Sequence, residues 1–140
     1  MADTNLDRLG RGMSFPFSFS KDSGGVFKQE GVSISSDVEL IKQSIRQILG
    51  TELGSRIMRR DFGANLMNLT FEPTDESFDA ILRDSTVEAI LKWERRVTIG
   101  SVRILRDPDY KNLIVIEIHF TITALKYSTN IVFTHEPRMT

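Results

Sequence analysis

Glu52 and Asp61 sit inside a polar stretch that runs from Gly50 to Pro73, with Glu72 and Asp75 close by. Two carboxyls held across a cleft are what glycoside hydrolysis requires. Asp61 and Asp75 each have a simpler account. Asp61 precedes Phe62, Leu66 and Leu69 at helical spacing and is a good N-cap, while Asp75 falls in the first turn of a longer helix, where negative charge is favoured. A chain of 140 residues with a short sheet also leaves little room for a sugar groove. His119 and His135 are the only histidines, neither has a partner at metal-ligand spacing, and there are no cysteines. His119 reads as a solvent-face strand residue. No G-x-S-x-G elbow and no glycine-rich phosphate loop occurs, and Gly24-Gly25 reads as a turn. No catalytic residue, metal, cofactor or small-molecule substrate is expected.

The arginines are the other chemistry on offer. Arg56, Arg59, Arg60, Arg95, Arg96, Arg103 and Arg106 could meet phosphates. Asp61, Glu94 and Asp107 are interleaved with them and the net charge is −1, which points away from nucleic acid. Arginine forks gripping carboxylates of another protein fit better. Composition is that of an ordinary globular domain, 40% hydrophobic and 26% charged. MADTNLDRLG carries no apolar signal core, and no run approaches a membrane span. The expectation is one domain, kept in the cytoplasm while it assembles with others.

The elements that position these residues follow from periodicity. Residues 1–35 are rich in glycine and serine, yet Phe15, Phe17 and Phe19 alternate with Pro16 and serine. This is an extended N-terminal arm that either packs on its own domain or becomes ordered on a neighbour. Ser36 and Glu39 make a capping box, and Val38, Ile41, Ile45 and Ile48 follow at helical spacing, giving a helix over 37–49 ended by Gly50. Thr74 caps a second long helix whose apolar face carries Phe78, Ile81, Leu82, Ala89 and Trp93, with Ile90 alongside. Lys92, Arg95 and Arg96 compensate its far end. Val97 and Ile99, then Val102 and Ile104, alternate on opposite parity across Gly100-Ser101, which predicts a β-bulge. Asp107-Pro108-Asp109 is a turn. Ile114, Ile116, Ile118, Phe120 and Ile122 alternate with polar or smaller residues, and Tyr127–Thr134 forms a third strand with Ile131 and Phe133 on one face. The predicted class is α+β. Two long helices and a short one pack on one face of a three-stranded antiparallel sheet, in a domain spanning 36–134 with a tail at 135–140.

The order Thr51, Gly54, Arg56, Met58, Arg59, Phe62, Gly63, Leu66, then Phe71-Glu72-Pro73, then Trp93, Glu94 and Arg96, resembles the gene-product-25-like baseplate wedge family. That family serves contractile-tailed phages, R-type bacteriocins, type VI secretion and phage-derived injection particles. Gly10-Arg11-Gly12-Met13 before Phe15-Pro16-Phe17 adds an upstream match, so the resemblance covers roughly residues 9 to 123. Leu53 and Arg60 stand where the family often has proline, Ser55 where it often has Glu, and Arg95 replaces the proline of its Glu-Pro-Arg tripeptide. The resemblance implies a structural baseplate subunit, in six copies, between the baseplate core and the first ring of sheath. Glu94, Arg95 and Arg96, with Arg56 and Arg59, would meet other wedge proteins. Gly54, Phe62, Gly63, Leu66, Phe71, Pro73 and Trp93 would be the structural motif. An open sheet edge would accept strands from sheath subunits. The family has also carried a lysozyme label, so a small peptidoglycan-cleaving baseplate enzyme is the alternative.

Overall fold

The computed structural model describes residues 9–16, 19–21, 27–32, 34–66, 76–106 and 113–135. Phe71, Pro73, the Thr74 cap, Asp75, the turn at 107–109 and residues 136–140 of the expected tail fall outside these residues, as do the side chains of Phe19 and Ser36. His135, expected to begin the tail, is the last residue of a sheet strand.

Helix α1 (Asp37–Gly50) buries Ile41, Ile45 and Ile48 of the stripe its spacing predicts, with Val38 partly buried and Leu49 added to the core. Helix α2 (Glu76–Trp93) buries Phe78, Leu82, Ala89 and Ile90. Ile81, expected on that face, is about half exposed, and Thr86 is buried instead. Thr86 stays satisfied because its Oγ1 donates to the Leu82 carbonyl at 2.7 Å, one turn back.

Strands β5 (Val97–Arg106), β6 (Ile114–Ile122) and β7 (Tyr127–His135) form an antiparallel sheet in the order β5-β6-β7. All five apolar residues of one β6 face, from Ile114 to Ile122, are buried in the same core as the two helices. The period-2 pattern therefore fixes which face is covered. Ile99 pairs with Phe120 but Ser101 pairs with His119, so Gly100 is the extra residue of a bulge, as the parity change predicts. Helices on one side of a three-stranded antiparallel sheet make this an α+β fold, the class expected.

The N-terminal residues hold short strands. β1 (Arg11–Met13) pairs with β4 (Ile34–Ser36), and β2 (Phe19–Lys21) pairs with β3 (Phe27–Val32), both antiparallel. Leu9 is buried in the core, and the Phe15 amide donates to Gln43 Oε1 of α1 at 3.0 Å.

The expected short helix does not begin at Asp61. Residues 61–66 are turns, tied back to the start of the connector by a parallel bridge between Glu52 and Ala64. Leu53 N donates to the Ala64 carbonyl and Ala64 N to the Thr51 carbonyl, at 3.3 and 3.0 Å. Backbone pairing satisfies these groups, so no capping by Asp61 is needed.

A candidate partner-binding corner

The connector, residues 51–66, begins where Thr51 Oγ1 donates to the Gln47 carbonyl at the end of α1. Two motif glycines shape it. Gly54 has φ +87, and Gly63 has φ +110. A Cβ on Gly63 would also clash with the Thr51 carbonyl, so the bridge closes only around a glycine. Leu66 is buried and Phe62 half-buried, while residues 52 to 61 are all exposed.

Phe62 carries the connector onto α2. Its ring lies 5.0 Å from that of Trp93, tilted by 58°. Cations then stack on both rings. Arg56 Cζ is 4.7 Å from the Phe62 centroid, Arg59 Cζ 5.2 Å from Trp93, and Lys92 Nζ 5.3 Å from Trp93. Guanidinium groups held over rings keep their outer N–H edges available. Arg46 and Arg56, with Phe15 and Phe62, line an open cleft of about 390 Å³ beside the end of α1.

At the end of α2 the Glu94 amide donates to the Ile90 carbonyl, 2.7 Å away. Glu94 is only 3% exposed. Arg96 Nε and Nη2 donate to its two oxygens at 2.6 Å each, a fork-to-fork pair, and the Arg96 amide adds a third bond at 3.3 Å. Burial pushes the Glu94 carboxyl up, but hydrogen bonds from Arg96 and Ser44 and the Arg96 charge outweigh it and hold the group below its ordinary value. The bond to Glu94 correspondingly holds the Arg96 guanidinium in its charged form. Arg96 Nη1 donates to the Leu9 carbonyl at 2.8 Å, and Thr123 N donates to the Arg96 carbonyl at 3.0 Å. One arginine thus ties together the N-terminal segment, the end of α2 and the β6–β7 turn.

The predicted residues therefore divide. Arg56 and Arg59 are exposed and stacked beside Trp93, and Arg95 is exposed at the turn. Glu94 and Arg96 are partners of each other within this chain. A carboxylate at a helix C-terminus, unexplained by the helix dipole, is explained by that internal pair. Sequence reasoning missed Ser44 and the Leu9 carbonyl, far away in the chain. It also missed the exposure of Ile57 and Met58, 88% and 95%. Apolar residues in the middle of the arginine run were the available signal.

Of the carboxylates weighed for hydrolysis, Glu72 and Asp75 lie outside the described residues, and Glu52 and Asp61 are both exposed. Asp61 lies 4.0 Å from Lys92 Nζ. Among the described residues no group of three or more His, Asp or Glu side chains is placed to hold a metal. No helix among them is long and apolar enough to cross a membrane.

An α+β domain with an exposed basic connector, a hydrogen-bonded helix-to-strand corner and, among the described residues, two unpaired sheet edges has the build of an assembly subunit. The baseplate wedge protein gp25 family matches residues 35–126, and the chain belongs to that family. Baseplate protein W of Escherichia phage P2 is 39% identical over 85 residues, covering 61% of this chain and 73% of that protein. A chain of the anti-feeding prophage baseplate superposes with a TM-score of 0.67 at 26% identity, covering 98% of this chain and 93% of the other. A putative tail lysozyme from Geobacter sulfurreducens superposes with a TM-score of 0.68 at 28% identity, covering 72% and 91%. The family match, the phage P2 protein and the anti-feeding prophage baseplate support the role of a structural baseplate component of a contractile, phage-tail-like particle.

Proposed function

We propose that the chain links the core of the baseplate to the first ring of sheath. The observation that carries this reading is the sheet. Among the described residues β5 and β7 each pair only with β6, so each offers a free backbone edge. Strands from sheath subunits add to one of these edges, with main-chain hydrogen bonds supplying the affinity. On the other side, Arg56, Arg59 and Arg95 grip carboxylates of other wedge proteins. The Glu94–Arg96 pair ties the helix-to-strand corner together from within the chain. The anti-feeding prophage baseplate that resembles this chain was reconstructed with six-fold symmetry, which fits six copies per baseplate. A proline at an outward N–H of the edge strand removes a donor and obstructs pairing. Baseplates should still form with such a variant, and sheath should fail to polymerise on them. Normal-length sheaths on proline variants of both β5 and β7 would contradict strand addition.

The alternative, peptidoglycan cleavage, rests on the name of the Geobacter relative. Purified chain should release no soluble fragments from cell walls. Turnover that disappears in Glu52→Gln or Asp61→Asn would make the enzyme reading the better one.

A further inference from the structure

Ile57 and Met58 are the most exposed large hydrophobic side chains among the described residues. They are not on a loose loop. The Arg59 amide donates to the Arg56 carbonyl at 3.4 Å, closing a turn around them, and the Phe62 amide donates to the Arg59 carbonyl at 3.0 Å. Met58 sits at φ +66, a conformation that L side chains adopt at a cost and that Gly or Asn takes more readily. An exposed methionine in that position gains nothing from its own chain's core. Around the tip, Arg56 and Arg59 are pinned over Phe62 and Trp93, and Arg60 is exposed. Among the described residues no carboxylate forms an ion pair with any of the three, and the adjacent Asp61 lies toward Lys92.

We infer that Ile57 and Met58 form a knob that enters an apolar pocket on a partner protein, and that the rim of that pocket carries Asp and Glu side chains. This rests on the reading that Arg56 and Arg59 face another baseplate protein, and it adds the apolar anchor and the chemistry of the socket. A central apolar contact ringed by charged pairs is how protein interfaces concentrate affinity. Methionine suits such a contact because its unbranched thioether adapts to an irregular pocket. An anionic membrane surface would also attract arginines, but two aliphatic side chains anchor weakly there. Guanidinium groups fixed over rings match carboxylates at fixed positions better than mobile headgroups.

The test places a photo-crosslinking amino acid at position 57, 58 or 95 in turn, in the chain as it assembles into particles. The double variant I57S/M58S is made in parallel. Positions 57 and 58 should crosslink to a baseplate protein, at a peptide with apolar residues flanked by Asp or Glu. The double variant should keep the thermal midpoint of the wild type and enter particles at least about tenfold less, because an interface anchor is lost while the fold is not. Crosslinks from position 95 alone, with normal incorporation of I57S/M58S, would sink the knob and leave the wider reading standing. No crosslink from any position, with the chain absent from particles, would sink both. A crosslinked peptide without carboxylates would overturn the acidic rim. Phosphatidylglycerol vesicles should not float the wild-type chain, and flotation abolished by I57S/M58S would assign the knob to a membrane instead.

Discussion

Two arginine-rich places on this molecule look alike in sequence and differ in the folded chain. At the α2–β5 corner, Arg96 donates to both oxygens of a buried carboxylate and to a backbone carbonyl. Along the connector, Arg56, Arg59 and Arg60 are exposed, the first two resting on aromatic rings. The difference is burial, which one-dimensional charge patterning does not report. Residues 94 and 96 turn inward together as the chain passes from helix to strand, while Arg95 between them is exposed. The corner is a structural clamp and the connector is a surface available to others.

That contrast breaks most visibly at Arg96. Arg96→Ala leaves Glu94 buried without its partner and should lower unfolding stability by about 3 kcal/mol in a denaturant titration. Glu94→Ala leaves a guanidinium whose side chain is already 36% exposed. It can rehydrate, so the loss should be smaller, about 1–2 kcal/mol. Equal losses would mean that Glu94 is not closed to water. The corner also makes an acid prediction. The folded-state value of Glu94 lies below its ordinary 4.5. Its contribution is therefore complete above about pH 4.5 and is lost as pH falls through the lower folded value. Glu94→Gln should be less stable than wild type at neutral pH, and the gap should narrow as acid is added below that point. A gap that stays constant down to pH 3 would remove the carboxylate from the account.

The smallest effect on stability belongs to the connector. Arg59→Ala removes an exposed stacking contact and should cost only about 0.5–1 kcal/mol. Its main consequence should be weaker entry into particles. A cost as large as that of Arg96→Ala would make the connector a second clamp and erase the contrast.

The sheet was the most legible part of the chain. Five inward residues of β6 and the bulge at Gly100 follow directly from alternation and its change of parity. The α1 stripe was equally plain. Ile81 and Thr86 exchanged places because a hydroxyl can satisfy itself one turn back and sit in the core, a possibility that apolar spacing ignores. The connector was harder. Helical spacing from Phe62 to Leu69 suggested a helix starting at Asp61, but pairing between Thr51–Leu53 and Ala64 competes for the same backbone groups. That pairing depends on Gly63, whose role appears only when the Thr51 carbonyl is seen against it. The candidate site was half legible. Its residues stand out by order and spacing, but the internal pairing of Glu94 with Arg96 is joined by Ser44 and Leu9, contacts no local pattern encodes.

On the proposed reading, the chain joins two sets of proteins, a free edge of its sheet taking sheath strands and its basic connector turned to other wedge subunits. The most direct measurement is a reconstruction of the assembled baseplate, with the chain traced in the map. An extra strand from a sheath subunit should lie along the free edge of β5 or β7, and Arg56 and Arg59 should lie against carboxylates of another baseplate protein. Bare edges on β5 and β7 beneath a fully attached first sheath ring would contradict it.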